Sequence, residues 1–237
     1  PPEMRYDAVQ RWRSKGNRLV IRRYYGPQAL EARLRSCSLL HDKAIYPYRY
    51  ARIRCQCVSL SDLYLFSTYA LKSRVDEVLE LNDALMTQYG LGLWDLTGVL
   101  EYSFGNEEIQ IIAPPVVERY IETSMPGHPL INGLLDGLHR WRAAVIERLP
   151  KMRTVVISEI PYPPLPLPVD PDDIQVVTTP PPKLERRKLR YATVSEYPGS
   201  FWTSTRITES NYRDFLYRDL TPLGSFGRRP FPIDGDA

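Results

Sequence analysis

The chain has 237 residues, of which 43% are hydrophobic and 25% charged, with a formal net charge of +3. That length holds one or two domains, and the apolar content is sufficient for a packed core. It excludes a membrane-spanning helix: no run approaches the ~20 consecutive apolar residues that a bilayer requires, and the longest candidate, residues 130–149, carries Asp136, His139, Arg140, Arg142, Glu147 and Arg148.

The small net charge conceals a division. Residues 1–58 carry 13 Lys or Arg against 4 Asp or Glu, residues 59–182 carry 8 against 17, and residues 183–237 carry 10 against 7. Two basic ends flank an acidic middle, a pattern expected either for polyanion contact by the ends or for ends that dock on acidic protein surfaces. Arginine outnumbers lysine 25 to 6, which suits interface ion pairs and phosphate contacts. Cys37, Cys55 and Cys57 make no disulfide framework, and an intracellular reducing compartment is expected. The chain opens Pro1-Pro2 rather than with Met, which fits either trimming or removal of a presequence; the second reading points to an organelle, here the mitochondrion.

In chain order, residues 3–14 read as a short helix ended by Gly16-Asn17. Residues 18–25 (RLVIRRYY) read as a strand, and Pro27 opens a helix over 28–40 with Leu30, Leu34, Cys37 and Leu40 at helical spacing. Residues 45–50 (IYPYRY) are aromatic and extended. In 52–58, Ile53, Cys55 and Cys57 alternate with Arg52, Arg54 and Gln56, the pattern of a half-buried strand with a basic face. Residues 63–71 are apolar nearly all round and read as a buried helix, followed by an amphipathic helix over 75–89 that Gly90 terminates. Residues 99–112 give a hairpin turning near Gly105-Asn106. A short helix is expected over 116–123. The strongest helical stripe begins at Pro129, with Leu130, Ile131, Leu134, Leu135, Leu138, Trp141, Val145, Ile146 and Leu149. Residues 153–160 read as a strand.

Residues 161–182 contain 9 of the 22 prolines. Proline fixes φ and donates no backbone hydrogen bond, so helix is excluded, and a polyproline II spacer is predicted with Leu165, Leu167, Ile174, Val176 and Val177 exposed along it. Beyond it, residues 183–237 are basic and aromatic, with a short helix near 209–220. A tail so rich in aromatics is expected to lie on a surface; Tyr191, Tyr197, Phe201, Trp202, Tyr212, Phe215 and Tyr217 are its candidate partner-binding residues.

The sequence carries no P-loop, Gly-rich dinucleotide turn or nucleophile elbow, and its three histidines have no ligand spacing. His139, beside Leu138 and Trp141 on the amphipathic helix, is expected as a histidine at the boundary of core and surface rather than as a catalytic group, and no metal or other cofactor is expected. Basic residues interleaved with tyrosines nominate Arg22, Arg23, Arg52, Arg54, Arg186, Arg187 and Arg190 as polyanion contacts, with RNA a candidate ligand.

The fold expected is α+β: a compact body of helices and small antiparallel sheets over 1–160, a proline-rich spacer over 161–182, and an extended arm over 183–237. In general character the chain resembles accessory subunits of large organellar assemblies. That resemblance implies a non-catalytic structural subunit of a mitochondrial respiratory-chain or ATP-synthase complex. Its arm would bind neighbouring subunits, with any membrane association peripheral and through them. The alternatives are a mitochondrial ribosomal protein contacting rRNA through its basic ends, and a viral capsid or scaffold protein.

Overall fold

A computed structural model describes residues 18–40, 43–105, 109–123, 125–160, 166–188 and 218–223. Along them run Leu19–Tyr25 (β1), Pro27–Arg35 (α1), Arg52–Ser59 (β2), Leu63–Leu65 (β3), Tyr69–Leu71 (β4) and Lys72–Tyr89 (α2). Then come Val99–Phe104 (β5), Gln110–Ile112 (β6), Val116–Ile121 (β7), Leu130–Asp136 (β8), Leu138–Ile146 (α3), Lys151–Ser158 (β9) and Gln175–Val177 (β10). The central sheet has the order β2–β9–β7–β8–β3. It is mixed: β9–β7 and β8–β3 are parallel, β2–β9 and β7–β8 antiparallel. β1, β5 and β6 form a separate antiparallel sheet, and β4 pairs with β10 in parallel. The body is α+β, as the alternation of periodicities predicts.

Both faces of the central sheet are covered. On β9, Met152 and Val156 join Val58, Val117, Leu134 and Trp141 on the side where α3 packs. Val155 and Ile157 point the other way, to Leu30 and Leu34 of α1 with Val99 and Val116. A third core forms where Leu81 and Leu85 of α2 meet Leu19, Leu100 and Tyr102 of the smaller sheet.

Burial on both faces removes the alternation by which a strand is read, and three expectations are corrected for that reason. Residues 63–71 are β3 and β4, not a helix. Residues 116–123 contain β7, opened by the β-branched Val116 and Val117. The stripe over 130–149 is two elements, β8 and then α3. Gly133 marks the strand part: a Cβ there would lie 2.3 Å from the Phe66 ring, so the glycine lets the aromatic side chain seat directly on the β8 backbone. Two further expectations are corrected: the helix expected over 28–40 stops at Arg35, and residues 47–50, expected extended, form turns closed by the Arg49 and Ala51 N–H groups on the Tyr46 and Tyr48 carbonyls. α2 runs to Gly90, where φ is 63°.

The proline tract is also corrected. Over its described part it lies on the body. Leu65 and Val169 exchange two backbone hydrogen bonds, of 2.9 and 2.8 Å. Val169 and Ile174 are 1% and 8% exposed and belong to the core under α3. Val176 remains exposed as expected, and Leu165 lies outside the described residues. The prolines forbid helix but not pairing, because the residues between them keep their N–H groups. Asp170 caps the short 3₁₀ turn Pro171–Asp173, accepting from the Asp172 N–H at 2.9 Å.

Part of the C-terminal segment also returns to the body. Arg218 bridges Leu39, the Asp219 N–H donates to the Ser38 carbonyl at 2.7 Å, and Leu220 and Leu223 are fully buried against α1. Residues 218–220 are therefore not helical; the rest of the helix expected near 209–220 lies outside the described residues, as does the one expected over 3–14.

Candidate nucleic-acid interface

Arginine and tyrosine collect on the flanks of α1. Leu30 and Leu34 anchor this helix in the core, which leaves Arg33 and Arg35 on its two sides. On the first side Arg33 lies over the Tyr25 ring, 4.6 Å from its centroid, and Arg23 lies 5.7 Å from the same ring. Tyr25 is held in turn by a hydrogen bond from its hydroxyl to Glu101, 3.0 Å. Two guanidinium groups thus meet one aromatic ring at the β1–α1 corner: Arg33 is attracted to the ring's π-system, and Arg23 also donates from Nη1 to the Tyr25 hydroxyl at 3.1 Å.

On the second side Arg35 grips the approach to β2. Its Nη1 donates to the carbonyls of Tyr48, Arg49 and Ala51, at 3.3, 2.9 and 3.2 Å, and Glu31 one turn earlier holds the other edge of the guanidinium at 2.7 Å. Tyr48 is fully buried and donates its hydroxyl to Glu118. Residues 46–51 are therefore pinned from beneath and from the side. What they hold outward is Tyr46, 43% exposed, Tyr50, 86% exposed, and Arg49, whose guanidinium lies 5.6 Å from the Tyr50 ring.

The basic residues nominated from sequence do not form one surface. Arg23 belongs to the α1 flank. Arg22 is committed to the β5–β6 hairpin, donating to Ser103 and the Gly105 carbonyl at 2.9 Å each. Arg52 and Arg54 are exposed but share the face of β2 that carries Val58, opposite Ile53 and α1. Arg52 also approaches Glu159, at 4.0 Å. Arg186 and Arg187 lie beside the β3–β4 turn, where the Thr68 N–H donates to the Arg186 carbonyl at 3.0 Å. This is the far edge of the five-stranded sheet from β2, roughly 19 Å away at ~4.8 Å per strand. Arg190 and the seven aromatic residues from Tyr191 to Tyr217 lie outside the described residues. Arg49 stands in the Arg–Tyr run over 48–54, whereas Arg33 and Arg35 were missed because α1 and the 46–51 segment approach only through the fold.

Two buried polar arrangements complete the picture. Glu118 on β7 accepts from Arg218, whose Nε and Nη2 lie 2.8 and 3.3 Å from its two oxygens, and from Tyr48. Burial and the Glu118 carboxylate push the Tyr48 phenol well above its ordinary value, so it stays protonated and donates. His139, at the α3 N-terminus, accepts on Nε2 from the Leu71 N–H, which opens α2, at 3.3 Å. Burial, with Arg74 adding, lowers His139 to about 4. It is a neutral acceptor at the start of α3 rather than midway along one amphipathic helix, because the stripe from Pro129 divides into β8 and α3.

Fold and surface together define a mixed α+β domain with a cationic, tyrosine-studded flank. The chain belongs to the ParB CE domain family: that family's model matches residues 29–175, more than half of its length, from within α1 to the first residue of β10. No curated protein and no solved structure matches it. The family overturns the expectation of an accessory subunit of a mitochondrial respiratory-chain or ATP-synthase complex, together with the ribosomal and capsid alternatives. Those rested on composition, which unrelated chains share, and on the proline tract read as a strap between subunits. Among the described residues no helix is long and apolar enough to cross a membrane.

Proposed function

We propose that the domain serves a DNA-partitioning system of the ParB type by contacting DNA, binding its ligand rather than transforming it. The family match carries this reading, and the α1 flank supplies the contact surface. Arg23, Arg33 and Arg49 sit there on two sides of one short helix, beside tyrosines that hold or flank their guanidinium groups. Arginine so placed neutralises phosphates and displaces condensed counterions, a contribution that does not depend on base sequence. The binding role is also supported by how the buried titratable groups are used. Glu118 is neutralised by Arg218, and His139 spends its acceptor on a backbone N–H.

Fluorescence anisotropy with a labelled DNA oligonucleotide tests the reading. Affinity is expected to fall steeply between about 50 and 200 mM salt. Replacing Arg23 and Arg49 by Gln is expected to reduce the log–log salt slope by roughly 1 per arginine. Absence of salt-dependent binding, or an unchanged slope in the double variant, overturns it.

A further inference from the structure

We propose that the 46–50 segment is a stacking platform for unpaired bases, so that the domain takes single-stranded DNA in preference to duplex. The inference rests on the DNA reading above and specifies its ligand.

Aromatic rings stabilise a fold when buried and contribute little when exposed. Tyr50 is 86% and Tyr46 43% exposed, four residues apart in one short segment. Exposed rings on a mobile tip would need no explanation. These are on a segment held at every step: Tyr48 reaches down to Glu118, Arg35 binds three of its carbonyls, and the Arg49 and Ala51 N–H groups close turns onto the Tyr46 and Tyr48 carbonyls, both at 3.2 Å. The residues of the segment are thus divided between two duties. Pro47 and Tyr48 go inward, and Tyr46, Arg49 and Tyr50 go outward. A surface prepared in this way binds without first losing conformational entropy.

The chemistry of the outward groups selects the ligand. Every base presents a π-face, and stacking on tyrosine needs that face free of its neighbours, which a duplex denies and a single strand permits. The Arg49 guanidinium lies over the Tyr50 ring, 5.6 Å from its centroid, which leaves the ring's other face for a base and a positive charge within reach of that nucleotide's phosphate. Arg35 and Lys43 nearby are paired with Glu31 and Asp219, so the charge the segment itself offers outward is that of Arg49. A protein ligand would be served as well by the rings, but the charge favours a polyanion.

The test uses the whole chain and three labelled probes of equal length: oligo-dT, an abasic deoxyribose-phosphate strand, and a duplex. Oligo-dT is expected to bind at least roughly tenfold more tightly than the abasic strand. In the Tyr46→Ala, Tyr50→Ala double variant that ratio is expected to collapse towards one, with abasic binding changed less than about twofold, while Tyr50→Phe keeps the wild-type ratio. Both positions are at the surface, so folding is not at stake. Equal binding of oligo-dT and the abasic strand, a preference for duplex, or an unchanged ratio in the double alanine variant each overturns the inference and leaves the DNA reading standing. Failure to bind any of the three overturns both.

Discussion

Glu118 has no exposed surface, and Arg218 is 5% exposed. A carboxylate taken so far from water is tolerated because a guanidinium meets both its oxygens and a phenol satisfies a further lone pair. Removing one partner is costlier than removing the charge. Arg218→Met is expected to cost about 3–5 kcal/mol in urea unfolding. Adding Glu118→Gln, which leaves Tyr48 an acceptor, is expected to recover more than half of that loss. His139 gives the opposite kind of residue-scale effect. Its value is about 4 in the fold and near 6.5 when unfolded. Between those limits the unfolded chain holds the extra proton, so stability falls as pH falls through that window, by at most ~1.4 kcal/mol per pH unit. His139→Gln keeps an acceptor for the Leu71 N–H, and is expected to flatten that part of a pH series of urea midpoints.

At the scale of elements, β8 depends on Phe66 lying where a side chain on residue 133 would stand. Gly133→Ala is expected to lower stability by about 1–3 kcal/mol through overpacking, and Phe66→Leu in the same chain to restore part of it, read by thermal melting. This glycine also shows what periodicity conveys and what it hides. α1, α2 and β2 were legible because each has one wet face, and the wet face writes the period; the β5–β6 hairpin, whose first strand is buried along both faces, was legible from its turn at Gly105-Asn106. β7 and β8 were not, since their neighbours cover both sides and an apolar strand then resembles an apolar helix. The proline tract declared its lack of helix, but the pairing of Val169 with Leu65 and of β10 with β4 depends on partners over a hundred residues away. The candidate interface was half legible. Arg23, Arg49 and Tyr50 stand in visible Arg–Tyr runs, whereas Arg33 and Arg35 look like ordinary charges on a helix surface. The pairing of Glu118 with Arg218 left no local trace at either end.

At the scale of the molecule, residues 218–223 contribute to a core whose other members lie in α1, β5, β7, β9 and the segments that connect the elements. They stand outside the stretch that the ParB CE domain model matches, yet they fill the space beside α1. Ending the chain after residue 217 would expose Leu30 and Leu34, leave Glu118 without its cation, and forfeit Leu220 and Leu223, each worth about 1.5–3 kcal/mol when buried. The shortened chain is expected to melt well below Arg218→Met alone and to be cut faster by protease. A melting temperature equal to that of Arg218→Met would mean that the two leucines contribute nothing.

The 100 residues between Glu118 and Arg218 are also an interval of time. At about 5–20 residues per second a ribosome needs roughly 5–20 s to make the second after the first. Throughout that wait the nascent domain can assemble its sheet, but Glu118 must either stay in water or be buried without its arginine. Closure of the α1 side is therefore tied to late synthesis, and products released before residue 218 carry an unfinished core that a protease can recognise.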